Sequence, residues 1–151
     1  MASQPPDLLE FGPNGAKTVT TASSPVVAGS TQSLKVNVVL DEAMSQRTAS
    51  VTVALCQAGQ IAVTGRTVSV NVFFDSADAF GALTFLQAEA WGASAVDNCN
   101  LMFGGQMTIG TWHQASCQFS AAGSFDRLAI VIKPSPVSWT GTMYLDNVRM
   151  D

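Results

Sequence analysis

Along ALTFLQAEAW, residues 82–91, every second side chain carries recognition chemistry: Phe85, Gln87, Glu89 and Trp91 alternate with Leu86, Ala88 and Ala90. In an extended strand alternate residues share a face, so the apolar triplet fits a core stripe and the other four form a row toward solvent. Aromatic rings stack on the apolar C–H faces of a flat ring, while amides and carboxylates fix its hydroxyls. A sugar polymer has both features. The opposite assignment, with Phe85 in the core, is the alternative. Asn71 and Phe73 in TVSVNVFF offer the same residue types on what reads as a neighbouring strand, as does Gln114 or Gln118 in WHQASCQF. Trp139, in the turn-rich PSPVSWTG, is a rim candidate. His113 has two readings, a hydroxyl partner or a structural residue.

Those residue types do not make a catalytic set. Hydrolysis of a glycosidic bond ordinarily needs two facing carboxylates, and Glu89 is the only acid on the 82–91 row. Asp75 and Asp78 fall in an expected turn, His113 is the only histidine, and no GxSxG occurs. A non-enzyme is expected, with a small β-sandwich glycanase and a purely structural or adhesion domain as rivals.

Bulk properties narrow the partners. The 151 residues suffice for one domain with a substantial core. Charged residues are 12% of the chain, about half the roughly 25% of ordinary globular proteins, which leaves a neutral, hydroxyl-rich surface. Seven basic residues against eleven acidic ones, with no Lys/Arg cluster, exclude a nucleic-acid or anionic-membrane partner. No apolar run approaches bilayer length. The opening MASQPPDLLE has neither the basic start nor the apolar stretch of a signal peptide, so any export signal is expected outside this chain.

Period-2 alternation dominates the chain. SLKVNVVL (33–40) turns Leu34, Val36, Val38 and Leu40 to one side, and ASVTVAL (49–55) turns Val51, Val53 and Leu55. TVSVNVFF (67–74) places Val68, Val70, Val72 and Phe74 inward, and RLAIVIK (127–133) does so with Leu128, Ile130 and Ile132. Further strands are expected over 82–91, 112–119 and 142–150, with short ones near 8–11 and 17–21. A turn or two of helix in DSADAFGALTF is the one helical candidate. Gly, Pro, Ser, Asn and Asp clusters such as SSPVVAGS, GASAVDNCN and KPSPVSWTG read as turns. The fold class is all-β: two antiparallel sheets packed face to face, closed as a jelly roll. Residues 1–7 read as a leading linker and 8–151 as the single domain. Cys56, Cys99 and Cys117 are odd in number; a Cys99–Cys117 bridge between DNCN, read as a loop, and QASCQF is favoured, with three buried thiols as the alternative.

The phrases SPVVAGSTQSLKVNV, GRTVSVNVFF, LTFLQAEAW, GTWHQASCQF and GTMYLDNVRM stand in an order that resembles the jelly-roll carbohydrate-binding modules of families 4, 16 and 22, over roughly residues 8–150. The resemblance implies a non-catalytic, monomeric module tethered to a secreted glycoside hydrolase, hence an extracellular location. It implies a β-linked plant-wall glucan as ligand, with xylan the alternative, and places the 82–91 strand in the groove. It makes Trp112 a packing residue; Tyr144 and Phe103 also read as structural. It further implies that Asp146, in YLDNV, helps hold a structural calcium with a carboxylate from the first strand. Glu10 is the nearest candidate, although it precedes Phe11 where the pattern has an acid following it. The rival for Asp146 is a turn cap or an ion pair with Lys35 or Arg149.

Overall fold

The structure is a computed structural model that describes residues 16–40, 49–54, 61–77, 85–92, 95–133 and 139–151. Nearly all of it is antiparallel strand: β1 (Ala16–Ala22), β2 (Ser33–Leu40), β3 (Ala49–Ala54), β4 (Ile61–Ala62), β5 (Thr67–Ala77), β6 (Phe85–Trp91), β7 (Ala95–Phe103), β8 (Trp112–Gln118), β9 (Ser124–Phe125), β10 (Arg127–Lys133) and β11 (Trp139–Met150). Among the described residues a single 3₁₀ turn occurs, at Gly104–Gln106. Five strands form one sheet in the order β1-β2-β11-β5-β8, and four form the other in the order β3-β10-β6-β7. β4 and β9 make a separate short pair. The expected jelly-roll sandwich is therefore present.

The alternation read from sequence is what closes the core. Val36, Val68, Val70, Val72, Phe74, Met143 and Leu145 face inward from the five-stranded sheet, and Leu86, Ala88, Ala90, Leu128, Ile130 and Ile132 from the other. All are essentially inaccessible, and each large aliphatic or aromatic side chain so buried contributes about 1.5–3 kcal/mol over exposure. Phe119 and Phe125, ring centroids 6.2 Å apart, close one end of the sandwich.

Three expectations are corrected. β5 and β6 are not neighbours: β5 pairs with β11 and β8, whereas β6 pairs with β10 and β7. Asn71, Phe73 and Gln114 therefore lie on the opposite outer face from Gln87, Glu89 and Trp91, because the chain crosses between sheets after β5 instead of turning back as a hairpin. DNCN is not a loop but the centre of β7. The helix suggested for DSADAFGALTF is absent at its start, where β5 runs on to Ala77. Residues 78–84 lie outside the described residues, as do the 8–11 strand and Cys56.

Cys99 and Cys117 are bonded, Cα atoms 5.7 Å apart, tying edge strand β7 of one sheet to edge strand β8 of the other. Asp97 makes a second tie. Its carboxylate accepts hydrogen bonds from the backbone N–H groups of Ser120 and Ala121, both at 2.7 Å, and of Asn98 at 2.8 Å. In the same loop Gly123 has φ 149°, and a Cβ there would sit 2.6 Å from Val96 Cγ1, so only glycine fits.

Reducing the Cys99–Cys117 bridge should cost about 3 kcal/mol, the loop-closure value for a separation of 18 residues. At about 2–4 °C per kcal/mol for a domain of this size, thermal melts with and without reductant are expected to differ by several degrees. For Asp97, burial alone raises the pKa, but the three backbone donors at Ala121, Ser120 and Asn98 outweigh it and hold the carboxyl below its ordinary value of 3.8. The stability it contributes is present above pH 3.8 and is lost as pH falls through the lowered folded-state value. Asp97→Asn is expected to melt earlier at neutral pH and to show a shallower acid loss; parallel acid curves for both proteins would count against this tie.

Candidate functional site

The outer face of the four-stranded sheet is set by β6 and β7. Register places Gln87 opposite Asn100 and Glu89 opposite Asn98, all on the side away from Leu86, Ala88 and Ala90. Gln87 donates through Nε2 to Asn100 Oδ1 at 2.8 Å and to Asn98 Oδ1 at 3.3 Å, and is only 8% exposed despite pointing outward. With both acceptor oxygens committed to Gln87, the Nδ2 donors of the exposed Asn98 and Asn100 make no hydrogen bond to the described residues. They face solvent. Two residues further along β6, Trp91 Nε1 donates to Glu89 Oε2 at 3.0 Å, which fixes the half-buried indole against the strand.

Other outward residues shape the rest of this face. Ala129 and Val131 on β10, beside Glu89 and Gln87, are small and covered. The accessible part therefore runs along β6 and β7. At its far end Phe103 is 51% exposed and pairs across the ladder with Phe85, whose own side chain lies outside the described residues. From the Phe85 position to Trp91, β6 spans roughly 20 Å at about 3.3 Å per residue. An exposed ring, two outward amides and a braced indole follow one another over that length. Sequence reading missed Asn98, Asn100 and Phe103. The signal for the first two was their alternation about Cys99, hidden by the turn-forming habit of Asp and Asn.

The opposite outer face carries a different band. Lys35, Tyr144, Phe73 and Trp112 align across β2, β11, β5 and β8. Phe73 lies 5.5 Å from Trp112 and 5.9 Å from Tyr144 between ring centroids, and Lys35 Nζ stands 5.9 Å above the Tyr144 ring. Trp112, expected in the core, instead lies half-buried on the outer face against Phe73. Asn71 and Gln114 occupy the next row.

His113 pairs with Val72 in the ladder and so turns to the inner side at the sheet edge. Its Nε2 accepts from Thr108 N–H at 3.3 Å and lies 2.9 Å from Thr108 Oγ1, which holds the 107–111 segment. It serves the structure. Gln118, the alternative to Gln114, donates to the Gly65 carbonyl at 3.0 Å. Trp139 opens β11 opposite Leu40, and its side chain lies outside the described residues.

Asp146 is 7% exposed on the outer side of β11. Oδ1 accepts from Asn147 N–H at 2.7 Å and Ser30 Oγ at 3.1 Å, and Oδ2 accepts from Val27 N–H at 3.1 Å. These donors hold residues 23–32 as a strap across the sheet, helped by Ser33 Oγ donating to the Pro25 carbonyl at 2.7 Å. The strap turns at Gly29, φ 88°, with Ser30 N–H closing on the Val27 carbonyl. Among the described residues the partners of Asp146 are these donors, not Lys35 or Arg149. Glu10 lies outside the described residues, and no cluster of three metal-ligating side chains occurs among them. Both carboxylate oxygens accept hydrogen bonds from protein donors.

No protein-family model matches the sequence, and no curated protein matches it significantly. Solved structures do match. An arabinose-bound GH51 α-L-arabinofuranosidase superposes with a TM-score of 0.66 at 15% identity, over 93% of this chain and 22% of that one. SGBP-B from a complex xyloglucan utilization locus in Bacteroides uniformis gives 0.58 at 14% identity, over 93% of this chain and 46% of that one. The module CBM27-1 of Caldicellulosiruptor saccharolyticus, in complex with mannohexaose, gives 0.56 at 13% identity, over 87% and 80%. The chain shares its fold with jelly-roll carbohydrate-binding modules. It spans about a fifth of the arabinofuranosidase and under half of SGBP-B.

Replacing Asp146 by Ala orphans the part-buried N–H groups of Val27 and Asn147, while the Ser30 hydroxyl keeps the Gln32 carbonyl at 3.0 Å as acceptor. At about 1–3 kcal/mol for each group left unsatisfied and unhydrated, a loss of about 2–4 kcal/mol is expected in denaturant melts. Because protein donors already satisfy this carboxylate, EDTA is expected to leave the transition in place. A fall in melting temperature that calcium reverses would show that an ion shares Asp146.

Proposed function

We propose that this chain is a non-catalytic carbohydrate-binding module that lays a neutral, β-linked plant-wall polysaccharide along the β6–β7 face. The observation that carries the reading is the clamp of Gln87 on Asn98 and Asn100, which aims two amide donors outward in line with Trp91 and Phe103. Amide nitrogens placed by a buried third amide are already ordered, so they grip hydroxyl oxygens with little further entropic cost. Trp91 and Phe103 supply ring surfaces, each adding about 0.5–1.5 kcal/mol beyond area burial where stacking is good. Glu89 braces the indole of Trp91.

The sugar in first place is a glucan such as cello-oligosaccharide, mixed-linkage glucan or xyloglucan, with xylan second. The low charge of the chain favours neutral polymers on this face. The disulfide supports an oxidising, extracellular setting. Attachment to a glycoside hydrolase, as a monomeric appended module, fits a weak single-site affinity multiplied by tethering. Catalysis has no place in this reading, since the single carboxylate on the row is engaged by Trp91.

Affinity electrophoresis in gels containing β-glucan, xylan or mannan tests the face directly. Retardation is expected, and Trp91→Ala and Asn100→Ala should each weaken it roughly tenfold or more, within the range of interface hot spots; the melting curve should change little for Trp91→Ala and fall for Asn100→Ala, which takes from buried Gln87 its 2.8 Å acceptor. Unaltered retardation in both variants would remove the β6–β7 face from consideration. Release of reducing ends would favour the enzyme instead.

A further inference from the structure

We infer that the opposite outer face holds a second carbohydrate site, a pocket for a single acidic sugar residue, independent of the β6–β7 surface. β11 pairs Asp146 with Asn71 and Arg149 with Ser69, so two residues, 147 and 148, stand where β5 has only Val70. Asn147 adopts φ 49° within this bulge. Such bulges bend a strand and re-aim its side chains. Here the ladder opens into a pocket of about 300 Å³, lined by Val27, Ser69, Asn71, Gln114, Asn147 and Arg149. The strap that Asp146 pins across the sheet provides the Val27 wall.

The lining dictates the ligand. Three amides and a hydroxyl supply both donors and acceptors, the requirement of a polyol. Phe73 follows Asn71 by two residues on the same face and packs on Trp112, so an aromatic surface borders the amides. Arg149 is exposed, and among the described residues it has no ion-pair partner. Of the carboxylates near it in sequence, Asp146 already accepts hydrogen bonds from Val27, Ser30 and Asn147, and Asp151, two residues on and paired with Thr67, forms no ion pair with it. The pocket therefore presents a guanidinium that makes no ion pair among the described residues, and a planar carboxylate is its complement. Its volume sits at the lower edge of the roughly 300–1,000 Å³ typical of ligand pockets, which suits one ring and not a chain. Together these features describe a uronate. The net charge of −4 works against indiscriminate anion capture, so any such binding must come from this local arrangement.

Heteronuclear NMR titration of the intact chain with methyl β-D-glucuronide, and with methyl β-D-glucoside as the neutral control, tests the assignment. Saturable shifts at Asn71, Gln114 and Asn147 are expected with the glucuronide, weakening as salt is raised. Arg149→Gln should weaken binding about tenfold, the loss expected for a hydrogen bond to a charged group. Trp91→Ala should leave it unchanged, while Arg149→Gln should leave polysaccharide retardation unchanged, so the two surfaces fail or succeed separately. Absence of saturable shifts with the glucuronide, equal affinity for the glucoside, or insensitivity to Arg149→Gln would each overturn the proposal.

Discussion

Two sheets share one core only if each central strand turns every second side chain toward the other layer, and this period-2 constraint governs the molecule. It commits Leu86, Ala88 and Ala90 to the interior and thereby sends Gln87, Glu89 and Trp91 outward. The same rule applied to β5 buries Val68, Val70, Val72 and Phe74 and exposes Ser69, Asn71 and Phe73 to the other side. Each outer face is a by-product of core packing. Its chemistry depends on which polar and aromatic residues occupy the alternate positions.

The two faces solve the problem of outward polar groups differently. On β6 and β7 a buried amide organises two exposed ones, so the hydrogen-bond capacity of the surface is arranged before any ligand arrives. On β11 a buried carboxylate organises a strap, which roofs part of the sheet. A polar residue at low exposure is costly unless every lone pair or proton finds a partner. Gln87 and Asp146 both find partners contributed by distant segments, and so both act as fasteners.

Much of the fold was legible because alternation is local. The inward sets of β5, β6 and β10, and Leu34 and Val36 of β2, follow from a few consecutive residues, and the favoured cysteine pair is the one that forms. The oddity of Asp146 in an apolar run was visible too, although its partners Val27 and Ser30 lie well over a hundred residues away. Strand adjacency was not legible. Whether β5 turns back on β6 or crosses to the other sheet depends on long-range pairing, and nothing in TVSVNVFF or ALTFLQAEAW encodes the partner. β7 escaped because Asp97, Asn98 and Asn100 favour turns when isolated; here tertiary contacts to Gln87 and to Ser120 and Ala121 hold them extended. Phe103 was read as structural because a large ring ordinarily belongs inside.

Cys99 sits between Asn98 and Asn100, with its sulfur turned in toward β8 while the asparagines turn out. A slip of β7 by one position would invert all three, pointing the thiol at solvent and hiding the amides. The inter-sheet bond cannot close in that arrangement. The oxidised chain therefore carries a covalent record of correct threading, written at the same three residues that present the outward amides.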